Sequence, residues 1–235
     1  ASLLVRELVK RGVRPVLAVD SDPDANLAAA LGLPVFKTVG QTQQEWLNSF
    51  DKIPAGMSKQ EYLLTTLHAV ISEGRDVDLL TMGRPEGKGC YCSANAVLRD
   101  FVSRLEPNYP AVVVDNEAGM EHISRRTTRD VDVLLVVSDP TLRGIKAAEN
   151  IMQLARELEI NVHHMLLILN RVGGELPAPL QEAIQSIDGE VGAIIPADPK
   201  VNDLDALGEP LIHLNGQSPV YKAVDALTER ILASL

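Results

Sequence analysis

Cysteine occurs only twice in the 235 residues, aromatic side chains make up 3% of them, and no apolar run approaches the roughly 18 to 20 residues of a membrane span. Each shortage excludes something. Two thiols separated by one residue, Cys90 and Cys92, cannot build a disulfide framework. A ring closed across the single intervening residue would be strained, so reduced thiols are expected. Three Phe, four Tyr and one Trp leave the core to aliphatic side chains. Basic residues are short too: 22 Lys and Arg stand against 32 Asp and Glu, a formal charge of -10 with a pI near 5.0. Without a basic stripe to displace counterions from phosphates, no nucleic acid is expected as a partner. With neither a span nor a charged-then-apolar signal pattern, no membrane is expected as a partner either, and the expected location is cytoplasmic. Nothing marks a second domain, so residues 1–235 are read as a single domain.

What is present is an alternation. Short aliphatic runs at residues 15–20, 78–82, 111–115, 131–137, 165–170 and 191–196 have the length and Val/Leu/Ile content of strands buried on both faces. Between them, residues 3–11, 58–72, 94–105, 142–158, 178–187 and 220–235 carry apolar residues at three- and four-residue spacing, as core-facing helices do. This predicts an α/β fold, a mostly parallel sheet flanked by helices on both faces. Gly173-Gly174-Glu175-Leu176-Pro177 has the make-up of an ordinary strand-to-helix loop.

Sheets of this kind bind ligands beyond the carboxyl ends of their strands. The first strand runs into Val19-Asp20-Ser21-Asp22-Pro23-Asp24-Ala25-Asn26-Leu27, which sets three carboxylates and an amide around a helix start. Asp and Asn cap helices well and Pro suits a first turn, but capping accounts for one Asp, not three. The third run delivers Asp115, followed by Asn116-Glu117-Ala118-Gly119. A carboxylate there can hold Mg²⁺ through water, while the glycine lets a loop approach a phosphate. Two further runs end in Leu169-Asn170-Arg171 and Ile195-Pro196-Ala197-Asp198-Pro199. An Asn at such an end is by default a turn former; in this company its amide can donate to and accept from a purine edge together. The thiols belong to Gly83-Arg84-Pro85-Glu86-Gly87-Lys88-Gly89-Cys90-Tyr91-Cys92. On a helix they would diverge by about 200°, so a pair acting together needs an extended segment or the mouth of a helix. A soft metal ion is the leading explanation. Two thiolates are half a tetrahedral site, and a symmetric dimer would supply the other half.

Together these residues resemble the deviant-Walker P-loop ATPases, the family of the division-site ATPase MinD, the ParA partition ATPases and the nitrogenase iron protein. The branch they resemble most is that of the nickel-insertion ATPases that mature carbon monoxide dehydrogenase. The run from Val19 to Leu27 looks like switch I, the run from Val112 to Gly119 looks like a Walker B strand with switch II, and Cys90-Tyr91-Cys92 looks like that branch's CXC motif. The resemblance implies a P-loop NTPase-like fold, ATP and Mg²⁺ as cofactors, and ATP hydrolysis. Carried over by position, Asp22 would orient the attacking water and Asp115 would hold the Mg²⁺ shell. Asn170 would face the adenine, Arg171 would join the nucleotide-binding set, and Pro196 and Asp198 would lie in the loop beside them. Cys90 and Cys92 would ligate Ni²⁺ or Zn²⁺ at the interface of a homodimer closed over two nucleotides. The implied client is a carbon monoxide dehydrogenase-type nickel enzyme.

One part of the family pattern is missing: no G-x-x-x-x-G-K-[ST] phosphate loop occurs in the sequence. In the family that loop precedes the first helix, and Ala1-Ser2-Leu3-Leu4-Val5-Arg6-Glu7-Leu8 reads as that helix already under way. The strand before the loop is missing with it, which would leave a gap in the sheet. The chain is therefore read as an amino-terminally incomplete form of a longer protein, and activity is expected of the complete one. Two other readings use the same residues. One is an iron–sulfur reductase like the nitrogenase iron protein, in which four dimer thiolates hold a cluster; the other is a non-catalytic metal-binding scaffold. His163-His164 is read as the polar lead-in to a strand rather than a ligand pair. His122, three residues after Gly119, either senses nucleotide state or caps a helix, and Trp46 and Phe50 are read as packing residues.

Overall fold

The computed structural model describes residues 1–47, 53–84, 91–119, 130–158 and 160–235. Backbone contacts divide the chain into two compact units, Ala1–Glu117 with Gly208–Ile212, and Ala118–Leu207 with His213–Leu235.

The first unit contains α1 (Ser2–Lys10), β1 (Val16–Asp20), α2 (Leu27–Leu31), α3 (Val39–Leu47), α4 (Lys59–His68), β2 (Val77–Thr81), α5 (Tyr91–Leu105) and β3 (Ala111–Asp115). Its strands form a parallel sheet in the order β2-β1-β3, in a register that sets Asp20 beside both Thr81 and Asp115. The three carboxyl ends are therefore level. All five residues of β1 are buried. Leu17 and Val19 pack with Leu67 of α4 and with Leu98, Phe101 and Leu105 of α5; Val16 and Ala18 face the other way by strand alternation, and α1 packs on β1. Helix α4 starts where the sequence places it because of a capping box. Ser58 Oγ accepts the Glu61 N–H at 3.2 Å, and the Glu61 carboxylate accepts the Ser58 N–H at 2.8 Å. It stops short of the expected residue 72, since Ser72 is recruited into an antiparallel bridge with Leu79.

The second unit contains β4 (Asp130–Ser138), α6 (Leu142–Glu157), β5 (Asn161–Val172), α7 (Ala178–Ser186), β6 (Glu190–Pro196), α8 (Pro199–Leu207) and α9 (Pro219–Ser234). Its strands form a parallel sheet in the order β4-β5-β6. Val136, Leu167 and Leu169 pack against Ile145, Ala148 and Met152 of α6 and Leu180 of α7. Thr141 fixes the start of α6 by accepting the Gly144 N–H at 3.0 Å.

Parallel sheets flanked by helices are what the alternating runs predict. Burial on both faces, however, holds for β1 and the middle of β5 and not for the outer strands of the second unit: Val137 of β4 and Ile194 of β6 are 59% and 51% exposed. A helix roughly 10 Å across covers about two strands spaced about 4.8 Å apart, so an outer strand of a three-stranded sheet is left partly open. Helices α2, α3 and α8 fall outside the expected set. The first is a single five-residue turn, and α8 buries no residue at all, so neither leaves an amphipathic period to read. Among the described residues no helix is long and apolar enough to cross a membrane.

Candidate functional site

The level strand ends of the first unit gather its acidic side chains. Asp20, the last residue of β1, is 1% exposed. Its Oδ1 accepts the Asp22 N–H at 3.2 Å and its Oδ2 accepts the Leu27 N–H at 2.9 Å, so one carboxylate spans the loop of residues 21–26 and meets the start of α2. Burial pushes the Asp20 carboxyl up to about 6; the two amide donors oppose the rise, and the charges of Asp115 and Asp22 add to it. Ser21 N–H donates to the Asp115 carbonyl at 2.8 Å. Asp22 is half-buried and accepts the Asp24 N–H at 2.8 Å, and Asp115 closes β3, also half-buried. Asp20 and Asp115 end adjoining strands and Asp22 follows in the loop; a hard cation beside them would offset the smaller, charge-derived part of the rise at Asp20. Among the described residues no three His, Cys, Asp or Glu side chains converge on a metal position, so a cation here would draw its remaining ligands from water or phosphate.

The exit of β2 is pinned to the same loop. Met82 N–H donates to the Asp20 carbonyl at 2.8 Å, and the Met82 carbonyl accepts the Gly40 N–H at 2.9 Å. Gly83 follows at φ +62, where a Cβ would stand 2.6 Å from the Thr38 side chain, so only glycine fits. Arg84 then forms an ion pair with Asp24. Cys90 lies outside the described residues, as do His122 and Phe50. Cys92 is the second residue of α5.

In the second unit, a register shift between Leu169 and Val172 bulges the end of β5 and sets Arg171 at φ +58. Asn170 Oδ1 accepts the Arg171 N–H at 3.0 Å. Pairing resumes with Val172 beside Pro196, and Ala197 N–H donates to the Val172 carbonyl at 2.9 Å. The structure thus brings Asn170, Arg171 and Pro196 to adjoining strand ends. Asp198 has structural duties. Its Oδ1 accepts the Lys200 N–H at 3.0 Å, capping α8, and its Oδ2 accepts the Ser218 hydroxyl at 2.6 Å. The hydroxyl first, and the amide after it, hold its carboxyl below the usual range. Ser218 Oγ in turn accepts the Tyr221 N–H at 3.3 Å and caps α9. His163 and His164 lie in the leading part of β5, His163 at 3.6 Å from Asp132.

Two residues of the first site escape the sequence reading. Asp20 is visible only as one acid among three, and its signal was its place as the last residue of an aliphatic run. Arg84 stands close to the thiols in sequence, but nothing local points it at Asp24, 60 residues away.

Residues 1–211 match the family model described as the CobQ/CobB/MinD/ParA nucleotide binding domain. An uncharacterized ATP-binding protein of Methanocaldococcus jannaschii is 40% identical over 233 residues, 98% of this chain and 92% of that protein. The carbon monoxide dehydrogenase accessory protein CooC of Rhodospirillum rubrum is 34% identical over 169 residues, 67% of this chain and 64% of that one. Among solved structures, the Pyrococcus furiosus cell division ATPase MinD superposes with a TM-score of 0.70 at 19% identity, covering 99% of this chain and 91% of that one. A ParA family ATPase from Chlorobium tepidum gives 0.72 at 19%, covering 97% and 90%. The fold is that of the MinD/ParA-like P-loop NTPases. With its acidic strand ends, a family model matched over most of its length and an ATP-binding relative aligned across nearly all of it, the chain belongs to the CobQ/CobB/MinD/ParA family of nucleotide-binding domains.

Proposed function

We propose that the protein is an ATP-dependent metallochaperone, an ATPase that delivers nickel to a carbon monoxide dehydrogenase-type enzyme. What supports the reading most is the 34% identity to a carbon monoxide dehydrogenase accessory protein, in a chain whose only two cysteines stand one residue apart. In this reading Asp115 takes the Mg²⁺ shell and Asp22 orients the attacking water, while Asp20, held beneath the loop by two amides, keeps Asp22 in place. Asn170 and Arg171, with Pro196, face the adenine, and Asp198 braces the loop after β6 through Ser218. ATP binding closes a homodimer, and the Cys90/Cys92 pairs of both subunits converge on one Ni²⁺ or Zn²⁺ cargo ion; hydrolysis opens the dimer and releases it. Thiolates are the binding form, so uptake releases protons and weakens as pH falls below the thiol pKa.

Metal analysis of the full-length protein with and without a non-hydrolysable ATP analogue tests this reading. One nickel or zinc ion per dimer is expected with nucleotide, and a Cys90→Ser/Cys92→Ser double variant should lose it; undiminished binding by that variant eliminates the shared-thiolate site. For hydrolysis, Asp22→Ala should slow turnover while nucleotide binding persists. Unchanged turnover removes Asp22 from the role.

A further inference from the structure

The first unit carries a groove of about 380 Å³ at the end of its sheet away from the carboxylates. Val77, the first residue of β2, lies in the wall of the groove and pairs with Val16 at the start of β1, whereas Asp20 and Thr81 close the same two strands. Successive strand residues are about 3.3 Å apart, so the groove and the carboxylates are separated by the length of the strand. The other walls come from Val5, Arg6 and Val9 of α1, from Leu31 and Leu33 at the end of α2, from the turn before β2, and from Ile212. All of them belong to one compact unit. Three contacts hold these walls in place. Arg6 Nη1 donates to the Ile212 carbonyl at 2.6 Å, Val16 N–H donates to the Asp76 carbonyl at 3.0 Å, and Gly32 lies so near Pro210 that a Cβ there would stand 3.0 Å from its side chain.

Three charged side chains line the groove, Arg6, Arg75 and Asp76, and two of them are engaged. Arg6 is committed to the Ile212 carbonyl, and Asp76 Oδ1 lies 3.4 Å from Arg14 Nη1. Arg75 is exposed, and among the described residues its guanidinium has no partner; the charge of Glu73, close to it in sequence, bears on Tyr109. An unopposed guanidinium beside an apolar groove, in a chain of net charge -10, complements a ligand with an apolar body and one negative end. We propose that the groove is a second ligand site, which takes a small monocarboxylate with an aliphatic body. Its size falls within the range of about 300–1,000 Å³ typical of small-molecule sites. The body lies against the fully buried Val5 and against Val9, Leu31 and Leu33, and the carboxylate pairs with the planar fork of Arg75 through two parallel bonds. The Asp76 carboxylate next to that fork repels a second negative charge, which selects a monoanion over a phosphate dianion. The site depends on none of the nucleotide or thiol assignments.

The test is calorimetric titration of the full-length protein with decanoate, decanol and decyl phosphate, which share one apolar body. Decanoate should bind saturably, one per subunit, and about two- to fivefold more tightly than decanol, the range of an exposed ion pair. Arg75→Gln should erase that difference by weakening decanoate alone, an effect that damage to the fold would not confine to the charged probe. Val9→Phe, at a half-buried position of α1, puts a ring into the groove and should abolish saturable binding of both probes. Arg75→Gln, a change at an exposed side chain, decides the matter alone if Val9→Phe unfolds the chain. Equal affinity for decanoate and decanol in the parent overturns the proposal, as does decanoate binding indifferent to Arg75→Gln. Tighter binding of decyl phosphate than of decanoate overturns it too. So does a parent that binds no probe, whether it stays monomeric or self-associates until Val9→Phe disperses it, the latter placing a second copy on the groove. Nucleotide turnover and metal content do not enter the readout, so failure here leaves the metallochaperone reading untouched.

Discussion

Replacing Asp20 by Asn should change how stability depends on pH more than it changes stability itself. The Asp20 carboxyl is raised from 3.8 to about 6 in the folded chain, with burial as the leading cause. Between those values the folded state binds the extra proton. The group's favourable contribution is therefore complete below about pH 4 and is lost as pH rises through about 6. A shift of about two pH units corresponds to about 3 kcal/mol, of which about 2 kcal/mol falls between about pH 4.5 and about pH 8. Asn cannot ionise. It also offers one acceptor where the carboxylate offers two, so either the Asp22 or the Leu27 N–H loses its partner, at about 1–3 kcal/mol. The parent should thus lose about 2 kcal/mol of stability relative to the variant between about pH 4.5 and about pH 8. Urea unfolding in metal-free buffer measures it, followed by the fluorescence of Trp46, the sole tryptophan, which lies in α3 of the same unit. Carboxylates common to parent and variant cancel in the difference. A gap that stays constant with pH, or a carbon NMR titration of Asp20 with its midpoint near 3.8, would refute the reasoning.

Phe101 is 1% exposed and meets His68 edge to face at 5.1 Å, so Phe101→Ala should cost about 3–5 kcal/mol by the same fluorescence assay; a loss below about 1 kcal/mol would contradict that packing. Gly83→Ala forces a Cβ to within 2.6 Å of Thr38 at a left-handed φ and should cost about 1–3 kcal/mol, with a neutral result in urea unfolding counting against the seat described. Ser218→Ala removes the α9 cap, worth about 1 kcal/mol, and should speed amide hydrogen exchange in the first turn of α9. It should also let the Asp198 carboxyl titrate higher than in the parent, since the Ser218 hydroxyl is the leading cause of its depression. The support that Asp198 gives is present above the ordinary carboxylate range and fades as pH falls through its lowered value, so an Asp198 titration indifferent to Ser218 would refute the pairing.

Much of the architecture is legible locally. Aliphatic runs of five to seven residues mark the strands because alternation and β-branching act over neighbouring residues, and Ser58 with Glu61 announces the start of α4 because a capping box is complete within four residues. What was not legible depends on length or on partners. Helix α2 is too short to carry a period, and the end of α4 is decided by Ser72 pairing with Leu79 rather than by its own sequence.

The sequence by itself determined that carboxylates and an amide follow the aliphatic runs, and so lie at the strand ends where this class of sheet meets its ligands. Only the tertiary structure decided what each of them does. Asp20 became the buried acid that holds the loop because the parallel register sets it between Thr81 and Asp115. Asp24 acquired Arg84, and Asp198 acquired Ser218. Burial and charge pairing are set by neighbours that the chain brings back from far along its length, and no local pattern encodes those distances.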